Sequence, residues 1–277
     1  KLNEKYDFEI LLMDNNSNDG SSDIAKKESN KFANSKYYKM SRNFGYQANI
    51  KAGYDNCKGD AAIQLDADGE DDPKIISEFI KEWENGYDVV YGIREKREEN
   101  FVLSFFRNIF YLFIKTFSEV DIPEKAGDFR ILDKKVIKFL KKFDEKNLYL
   151  RGLISFIGFR QKGIKYSRKK RFSGKSKISL LKYFDISISA ITSFTKAPLM
   201  IIFFIGFFIF LGSLIMLIIY LILYLGGSIT EPGFTTIILI QLLFFGLIMF
   251  LIGILSIYIG FILDEVKKRP TYIVDDE

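Results

Sequence analysis

Residues Ile63–Asp68 spell IQLDAD, an apolar run that ends in two carboxylates. In an extended chain alternate side chains share one face, so Asp66 and Asp68 are predicted to point the same way where the strand ends. Such a pair can hold Mg²⁺ or Mn²⁺ and leave positions for phosphate oxygens, and Glu70 could add a third oxygen. A solvated acidic turn has the same composition, and Asp72-Pro73 is typical of a helix start. This segment alone leaves both interpretations open.

The rest of the N-terminal half alternates between strand-like and helix-like segments. This alternation predicts a mainly parallel sheet covered by helices, in which ligands bind beyond the carboxyl ends of the strands. Asp14 and the pair Asp66 and Asp68 fall at such ends. The predicted strands are Phe8–Asp14, Ala61–Asp66 and Asp88–Tyr91, and the predicted helices are Ser21–Lys31, Phe44–Asn56 and Pro73–Glu84.

A polar turn, Met13–Ser21 (MDNNSNDGS), follows the first predicted strand. The Asp14 carboxylate could accept hydrogen bonds from a base or a ribose. Backbone N–H groups in a turn of Asn, Ser and Gly can face a ligand, which makes Asn16 and Ser17 further candidates. A plain strand-to-helix turn is the alternative.

Composition narrows the possible chemistry. The 277 residues include no histidine and one cysteine, and the net charge of the chain is +5. A histidine base, a histidine metal ligand and an intramolecular disulfide framework are therefore excluded, and the single Cys57 fits a reducing compartment. Carboxylates, Lys, Arg, Tyr and hydroxyl groups must supply the reactive side chains.

The C-terminal part contains two long apolar stretches, Pro198–Leu225 and Thr235–Leu263. Each exceeds the roughly 20 residues that span a bilayer as a helix. Lysine and arginine flank the pair on both sides and are absent from the loop between them, so the positive-inside rule predicts a hairpin with both ends cytoplasmic. The preceding segment, Ser179–Phe194, has apolar residues near helical spacing, which suits either an interfacial helix or an ordinary packed helix.

A set of motifs in a fixed order resembles the family 2 inverting glycosyltransferases with the GT-A fold. The first four are Asp14–Ser21, Ser41–Gly45 (SRNFG), Leu65–Asp68 and Gly86–Gly92 (GYDVVYG), and the next is Gly127–Arg130 (GDFR). Leu150–Leu153 and Arg171–Lys177 (RFSGKSK) are similar to the polyprenyl-phosphate glycosyltransferases within that family. The two apolar stretches and the closing Arg269–Tyr272 (RPTY) resemble the bacterial branch.

The resemblance implies a reaction in which a lipid phosphate oxygen attacks the anomeric carbon of a nucleotide sugar, with inversion. Undecaprenyl phosphate is the expected acceptor and UDP-glucose the first expected donor, with GDP-mannose and UDP-aminosugars as alternatives. It implies Asp66, Asp68 and Glu70 as ligands of Mg²⁺ or Mn²⁺, Asp68, Asp128 and Arg130 as catalytic residues, and the following as substrate-binding residues: Asp14, Asn16, Ser17, Arg42, Asp66, Arg151, Arg171, Ser176 and Lys177.

The expected organisation is a GT-A domain over residues 1–178, an interface helix over 179–196, two transmembrane helices over 197–265 and a cytoplasmic tail over 266–277. An opening strand that the family carries is expected to be missing. The resemblance also implies a homo-oligomer, and related enzymes suggest a tetramer. The expected location is the bacterial inner membrane, and no nucleic-acid partner is expected.

Two other functions are weighed against this one. A processive polysaccharide synthase would carry a Gln-x-x-Arg-Trp motif, but the one tryptophan, Trp83, lies in KEWE. A catalytically inactive, membrane-anchored binding or scaffold protein would have no need of Asp66, Asp68, Asp128 and Arg130 together.

Overall fold

A computed structural model describes residues 5–94, 116–117, 120, 122–123, 126–146, 148–168, 191, 195, 197–226 and 234–275. It divides the chain into two units, one of residues Lys1–Phe194 with Lys268–Glu277 and one of Thr195–Lys267. The predicted interface helix over 179–196, apart from residues 191 and 195, and the candidates Arg171, Ser176 and Lys177 lie outside the described residues. The chain therefore leaves the first unit once and returns to it.

The first unit alternates strands and helices in the predicted manner. Its elements are β1 (Ile10–Asp14), α1 (Ser21–Ser29), β2 (Ser35–Met40), α2 (Tyr46–Asn56), β3 (Ala61–Gln64), a 3₁₀ turn (Pro73–Ile75), α3 (Ile76–Glu84), β4 (Val89–Arg94), β5 (Ala126–Asp133), α4 (Lys134–Leu140), α5 (Leu150–Ile157), β6 (Gln161–Tyr166) and β7 (Val274–Asp275). Asp72 caps the 3₁₀ turn by accepting a hydrogen bond from the Lys74 N–H group, and Pro73 follows it, as predicted.

The strands form two mixed sheets, in the orders β1-β2-β7 and β3-β5-β4-β6. The prediction of a mainly parallel sheet is wrong in its pairing, because β5 lies between β3 and β4 and runs antiparallel to both. β4 and β6 pair in parallel, as do β1 and β2. Strand and helix alternation predicts parallel crossovers, but it carries no signal for a strand that enters the middle of the sheet in the reverse direction.

β5 lies at the centre of the core, and the side chains on its two faces pack in different hydrophobic clusters. Phe129 and Ile131 pack in one cluster with Phe79, Val90 and Tyr166. Leu132 packs on the other side with residues of α2, α4 and α5. The strand is buried along nearly its whole length. A strand buried in this way can hold charged side chains in a fixed place, which Asp128 and Arg130 require.

The second unit contains two long helices, α6 (Ala197–Leu225) and α7 (Phe234–Val266). Within the described residues, one helical segment is long and apolar enough to cross a membrane, Phe244–Val266 with a mean hydropathy of 2.6. The described apolar start of α6, Ala197–Ile209, is shorter. The predicted connecting turn over 226–233 lies, apart from Gly226, outside the described residues.

Candidate active site

The carboxylate pair of the predicted metal site lies beyond the end of β3, which stops at Gln64. Asp66 and Asp68 therefore do not belong to an extended strand, and the prediction that strand geometry aligns them is wrong. Asp68 instead lies in a turn, where its Oδ1 accepts a hydrogen bond from the Glu70 N–H group at 3.1 Å. A turn of this kind brings side chains together through local backbone hydrogen bonds, as Asp residues commonly do.

Two neutral groups hold Asp66. The Tyr46 hydroxyl donates to both carboxylate oxygens, at 3.0 and 3.1 Å, and the Gln64 amide donates to Oδ1 at 2.8 Å. Burial raises the pKa of Asp66, the Tyr46 hydrogen bond opposes the rise, and the negative charge of Asp128 adds to it. Tyr46 is a site residue that the sequence did not point to, because a tyrosine at the first position of a helix carries no recognisable signal.

The residues present fit a divalent ion. Asp66 and Asp68 supply hard carboxylate oxygens, and within the described part of the chain the buried Gln64 Oε1 beside Asp66 has no hydrogen-bond partner. Mg²⁺ typically takes one or two protein carboxylates together with water and substrate phosphates. The described residues contain no group of three His, Cys, Asp or Glu side chains placed to hold a metal.

Glu70, the third predicted ligand, takes part in a different contact. Its carboxylate forms an ion pair with Arg168, which also donates from Nε to Asp71 Oδ1 at 3.0 Å. Asp71 is 2% exposed and accepts a hydrogen bond of 2.5 Å from the Tyr166 hydroxyl. These contacts fasten the acidic loop, residues 66–72, to the segment just after β6, and a metal-binding role for Glu70 stays a prediction.

Asp128 and Arg151 form the principal ion pair of the site. The guanidinium donates from Nε to Oδ1 at 2.9 Å and from a terminal nitrogen to Oδ2 at 2.7 Å, a bidentate arrangement. Burial alone would raise the pKa of Asp128, but the charge and hydrogen bonds of Arg151, with the charges of Arg130 and Arg94, lower it to about 2. Asp128 is therefore ionised at every physiological pH, and Arg151 is held in one orientation.

Arg130 is less available than predicted. It is 4% exposed and donates to the Gly127 carbonyl at 2.7 Å, with its nearest Asp128 oxygen at 3.9 Å. Burial lowers its pKa, and the Asp128 carboxylate counteracts that effect. Arg130 is therefore a buried positive charge that stabilises the ionised form of Asp128. The partly exposed Arg151 is the better placed of the two to meet a phosphate.

In the turn after β1, Asp14 accepts hydrogen bonds from three groups of its own surroundings. The carboxylate accepts hydrogen bonds from the Ser17 N–H group at 3.0 Å, the Ser22 hydroxyl at 2.5 Å and the Tyr37 hydroxyl at 2.8 Å. Burial alone would raise its pKa, but these hydrogen bonds lower it. Asn16 is exposed in the left-handed region with φ of 58°, which asparagine tolerates better than most residues. These contacts show a strand-to-helix turn with exposed polar groups, and nucleotide binding by Asp14, Asn16 and Ser17 stays a prediction.

The turns after β1 and β2 are joined by two asparagines. Asn15 donates to Asn43 Oδ1 at 2.9 Å and accepts from the Phe44 N–H group at 2.9 Å. Asn43 also accepts from the Gly45 N–H group. Arg42 is exposed beside them, with its guanidinium carbon 4.1 Å from the centre of the Phe44 ring. Asn15 and Asn43 thus fix the loop that presents Arg42, a role that the motif alone did not predict.

Comparison with known proteins shows which family the chain belongs to. The model of the glycosyl transferase family 2 matches residues 1–141. The chain is 39% identical over 98% of its length to the uncharacterised glycosyltransferase YkcC of Bacillus subtilis, of which it covers 84%. The chain belongs to glycosyltransferase family 2.

Further relatives extend across both units. This glycosyltransferase is 33% identical, over 97% of its length and 87% of the relative, to the SfII prophage-derived bactoprenol glucosyl transferase of Shigella flexneri. Among solved structures, mannosyl-3-phosphoglycerate synthase of Rubrobacter xylanophilus has a TM-score of 0.40 at 15% identity, covering 81% of this chain and 67% of that one. The resemblance to family 2 glycosyltransferases is confirmed, and the mixed α/β architecture is GT-A-like.

Proposed function

We propose that this glycosyltransferase transfers a hexose from a nucleotide sugar, with UDP-glucose as the first candidate, to undecaprenyl phosphate with inversion. The observation that carries the proposal is the placement of the Asp128–Arg151 pair beside the acidic loop. Arg130, two residues after Asp128 in β5, pairs with Gln64 of β3, and the Gln64 amide donates to Asp66. Asp66 and Asp68, which suit a metal-bound diphosphate, thus lie near Arg151, which suits a second phosphate. The relatives named bactoprenol glucosyl transferase support a lipid phosphate as the acceptor.

The chemistry demands positioning more than proton transfer. A phosphate monoester has a second pKa near 6, so the attacking oxygen is already ionised at neutral pH. The chain has no histidine to act as a base and needs none. The protein has to align the two substrates and neutralise charge, and both tasks suit fixed, buried ionic groups.

Each part of the site has a role in that scheme. Asp66 and Asp68 would hold the metal, which when bound neutralises the charge that develops on the departing diphosphate. The turns containing Ser17 and Arg42 would receive the nucleoside diphosphate. Arg151, oriented by Asp128, would hold the lipid phosphate, for which a guanidinium is well suited. Arg171, Ser176 and Lys177 remain predicted phosphate contacts.

The proposed location is the inner face of a bacterial plasma membrane. The folded first unit contains residues from before and after the two long helices, so both ends of that helical pair lie on one side of any membrane it enters. The number of crossings is then even, and α6, at 29 residues, is about 43 Å long. These facts support a two-helix hairpin, and the lysines and arginines that flank it support cytoplasmic ends. A homo-oligomer, with a tetramer as first candidate, completes the proposal.

The test is a transfer assay with the full chain in detergent. Undecaprenyl phosphate and Mg²⁺ or Mn²⁺ are supplied with radiolabelled UDP-glucose, UDP-aminosugars and GDP-mannose in turn. Label should enter the lipid phase from one donor, and EDTA or Asp68→Asn should abolish the transfer.

Asp72→Asn is the matched control, because it removes a neighbouring charge while asparagine still caps the 3₁₀ turn. It should retain most of the activity. The proposal is wrong if no donor labels the lipid, or if the label appears only as free sugar in the aqueous phase.

A further inference from the structure

The chain's closing segment, Lys268–Asp275, leaves α7 and folds against the first unit; this segment is called the tail below. Lys268 has φ of 46°, in the left-handed region where helices commonly end, and Pro270 cannot continue a helix. β7 then pairs antiparallel with β2, with Met40 opposite Val274 and Lys39 opposite Asp275. The Ser41 N–H group extends the pairing by donating to the Ile273 carbonyl at 3.0 Å.

A side-chain contact fixes the tail to a second element. The Tyr272 hydroxyl donates to Asp55 Oδ2 at 3.1 Å, near the end of α2. The same carboxylate accepts from the Lys51 ammonium at 2.7 and 2.8 Å, and Lys51 is 2% exposed. Burial raises the pKa of Tyr272, and the negative charge of Asp55 adds to the rise. The tail therefore contacts both β2 and α2.

These two elements carry the proposed donor site between them. Ser41 directly precedes Arg42 and Asn43, and Asn43 is bonded to Asn15 of the nucleotide turn. Tyr46, the first residue of α2, holds Asp66. The loop from Ser41 to Gly45 is thus bounded by a strand that β7 pairs with and by a helix that Tyr272 contacts. A shift of either element would move the loop.

We propose that the tail is a positioning element of the donor site. Through its contact with Asp55, Tyr272 fixes the angle between β2 and α2. That angle sets the position of the Ser41–Gly45 loop, which receives the nucleoside diphosphate. This inference rests on the proposed function. A simpler role for the tail is to cover the edge of β2 so that no other strand pairs with it. The experiment has to distinguish this role from positioning of the donor site.

The tail can be altered without dismantling the core. None of the buried hydrophobic clusters among the described residues includes a tail residue. Three full-length variants, Tyr272→Phe, Asp55→Asn and the two combined, test the side-chain contact, and a chain that stops after Pro270 tests the strand. Ile273→Ala is the matched control, because its side chain is 49% exposed and the backbone carbonyl that binds Ser41 remains.

Donor and acceptor kinetics are measured together with hydrogen–deuterium exchange at the Ser41 amide. Tyr272→Phe should raise the KM for the nucleotide sugar about three- to tenfold, the effect expected of one lost hydrogen bond, while kcat and the acceptor KM change less than about twofold. The double variant should be little worse than Asp55→Asn alone, because the two residues share one contact. The shortened chain should also show faster Ser41 exchange.

Each other outcome overturns the inference. Faster Ser41 exchange in the shortened chain with an unchanged donor KM would make the tail an edge cover alone. Unchanged exchange would mean that the β2–β7 pairing does not form in solution. A wild-type protein that binds no nucleotide sugar would overturn the proposed function as well, whereas normal wild-type binding with unaffected variants would overturn this inference alone.

Discussion

At the scale of single residues, Tyr46 joins the acidic loop to the start of α2. Tyr46→Phe removes the hydroxyl that donates to Asp66 while keeping the ring. Since a hydrogen bond to a charged group contributes about 1.5–3 kcal/mol, we expect kcat/KM to fall roughly tenfold or more. Steady-state transfer assays at saturating lipid measure this change.

Tyr6→Phe provides the matched control, because Tyr6 also donates to a carboxylate, Glu84, but on the exposed surface. It should leave kcat/KM unchanged. Equal losses in the two variants would mean that the effect of Tyr46→Phe does not come from Asp66.

Asp128 gives a prediction about pH. Its pKa is lowered to about 2, below the usual value near 3.9, so its ionisation stabilises the fold above about pH 4 and this contribution is lost as the pH falls through 2. The size of the contribution is about 2 kcal/mol. Asp128→Asn lacks it and leaves two arginines without their counter-charge, so we expect a lower free energy of unfolding at pH 7 and a gap to the wild type that narrows between pH 4 and 2.

Unfolding in detergent, followed by intrinsic fluorescence across this pH range, measures the gap. Activity of the wild type should show no ionisation from Asp128 between pH 5 and 8. A gap that stays constant down to pH 2 would contradict the assignment of the lowered pKa to the Asp128–Arg151 pair.

At the scale of elements, Gly92 of β4 leaves room for the Tyr166 ring of β6. A Cβ placed there would lie 2.5 Å from Tyr166 Cε1, and the Tyr166 hydroxyl holds Asp71 in the acidic loop. Gly92→Ala should therefore destabilise the fold by about 1–3 kcal/mol and displace the loop. Chemical unfolding and the affinity for Mn²⁺, measured by calorimetry, report the two effects separately.

Gly53→Ala in α2 is a suitable comparison, because the added Cβ would meet Met13 Cγ at an ordinary 3.5 Å. Alanine in a helix is favoured over glycine by roughly 0.5–1 kcal/mol, so this variant should be neutral or more stable. Similar destabilisation in both would show that the space around Tyr166 is not the cause.

The sequence predicts these elements to different extents. Strand–helix alternation and the Asp72-Pro73 cap lie in local patterns, so α1, α2, α3 and β4 are found within a few residues of their predicted places. β5 could not be placed, because its neighbours β3 and β4 are chosen by long-range packing of Phe129 and Leu132. The sequence predicts Asp66 and Asp68 as candidate metal ligands, but the conformation of the acidic loop depends on Tyr46, Tyr166 and Arg168 from distant segments.

At the scale of the whole molecule, the segments before and after the helical pair belong to one folded unit, and the proposed hairpin can be tested. In a Cys57→Ser background, a single cysteine at Ser228 should react with a membrane-impermeant maleimide only from the outside of the cell. A single cysteine at Lys58, in the first unit, should react only in inverted vesicles. Labelling of both positions from the same side would contradict the hairpin.

The β2–β7 pairing also has a consequence for biosynthesis. During translation β2 is made early, and β7 emerges only after both long helices have left the ribosome. Until then β2 keeps an uncovered edge, the feature by which partly made sheets recruit foreign strands. A ribosome stalled before Val274 would therefore hold a chain whose two long helices are complete while this sheet is still open, so the sheet can be completed only after both helices are made.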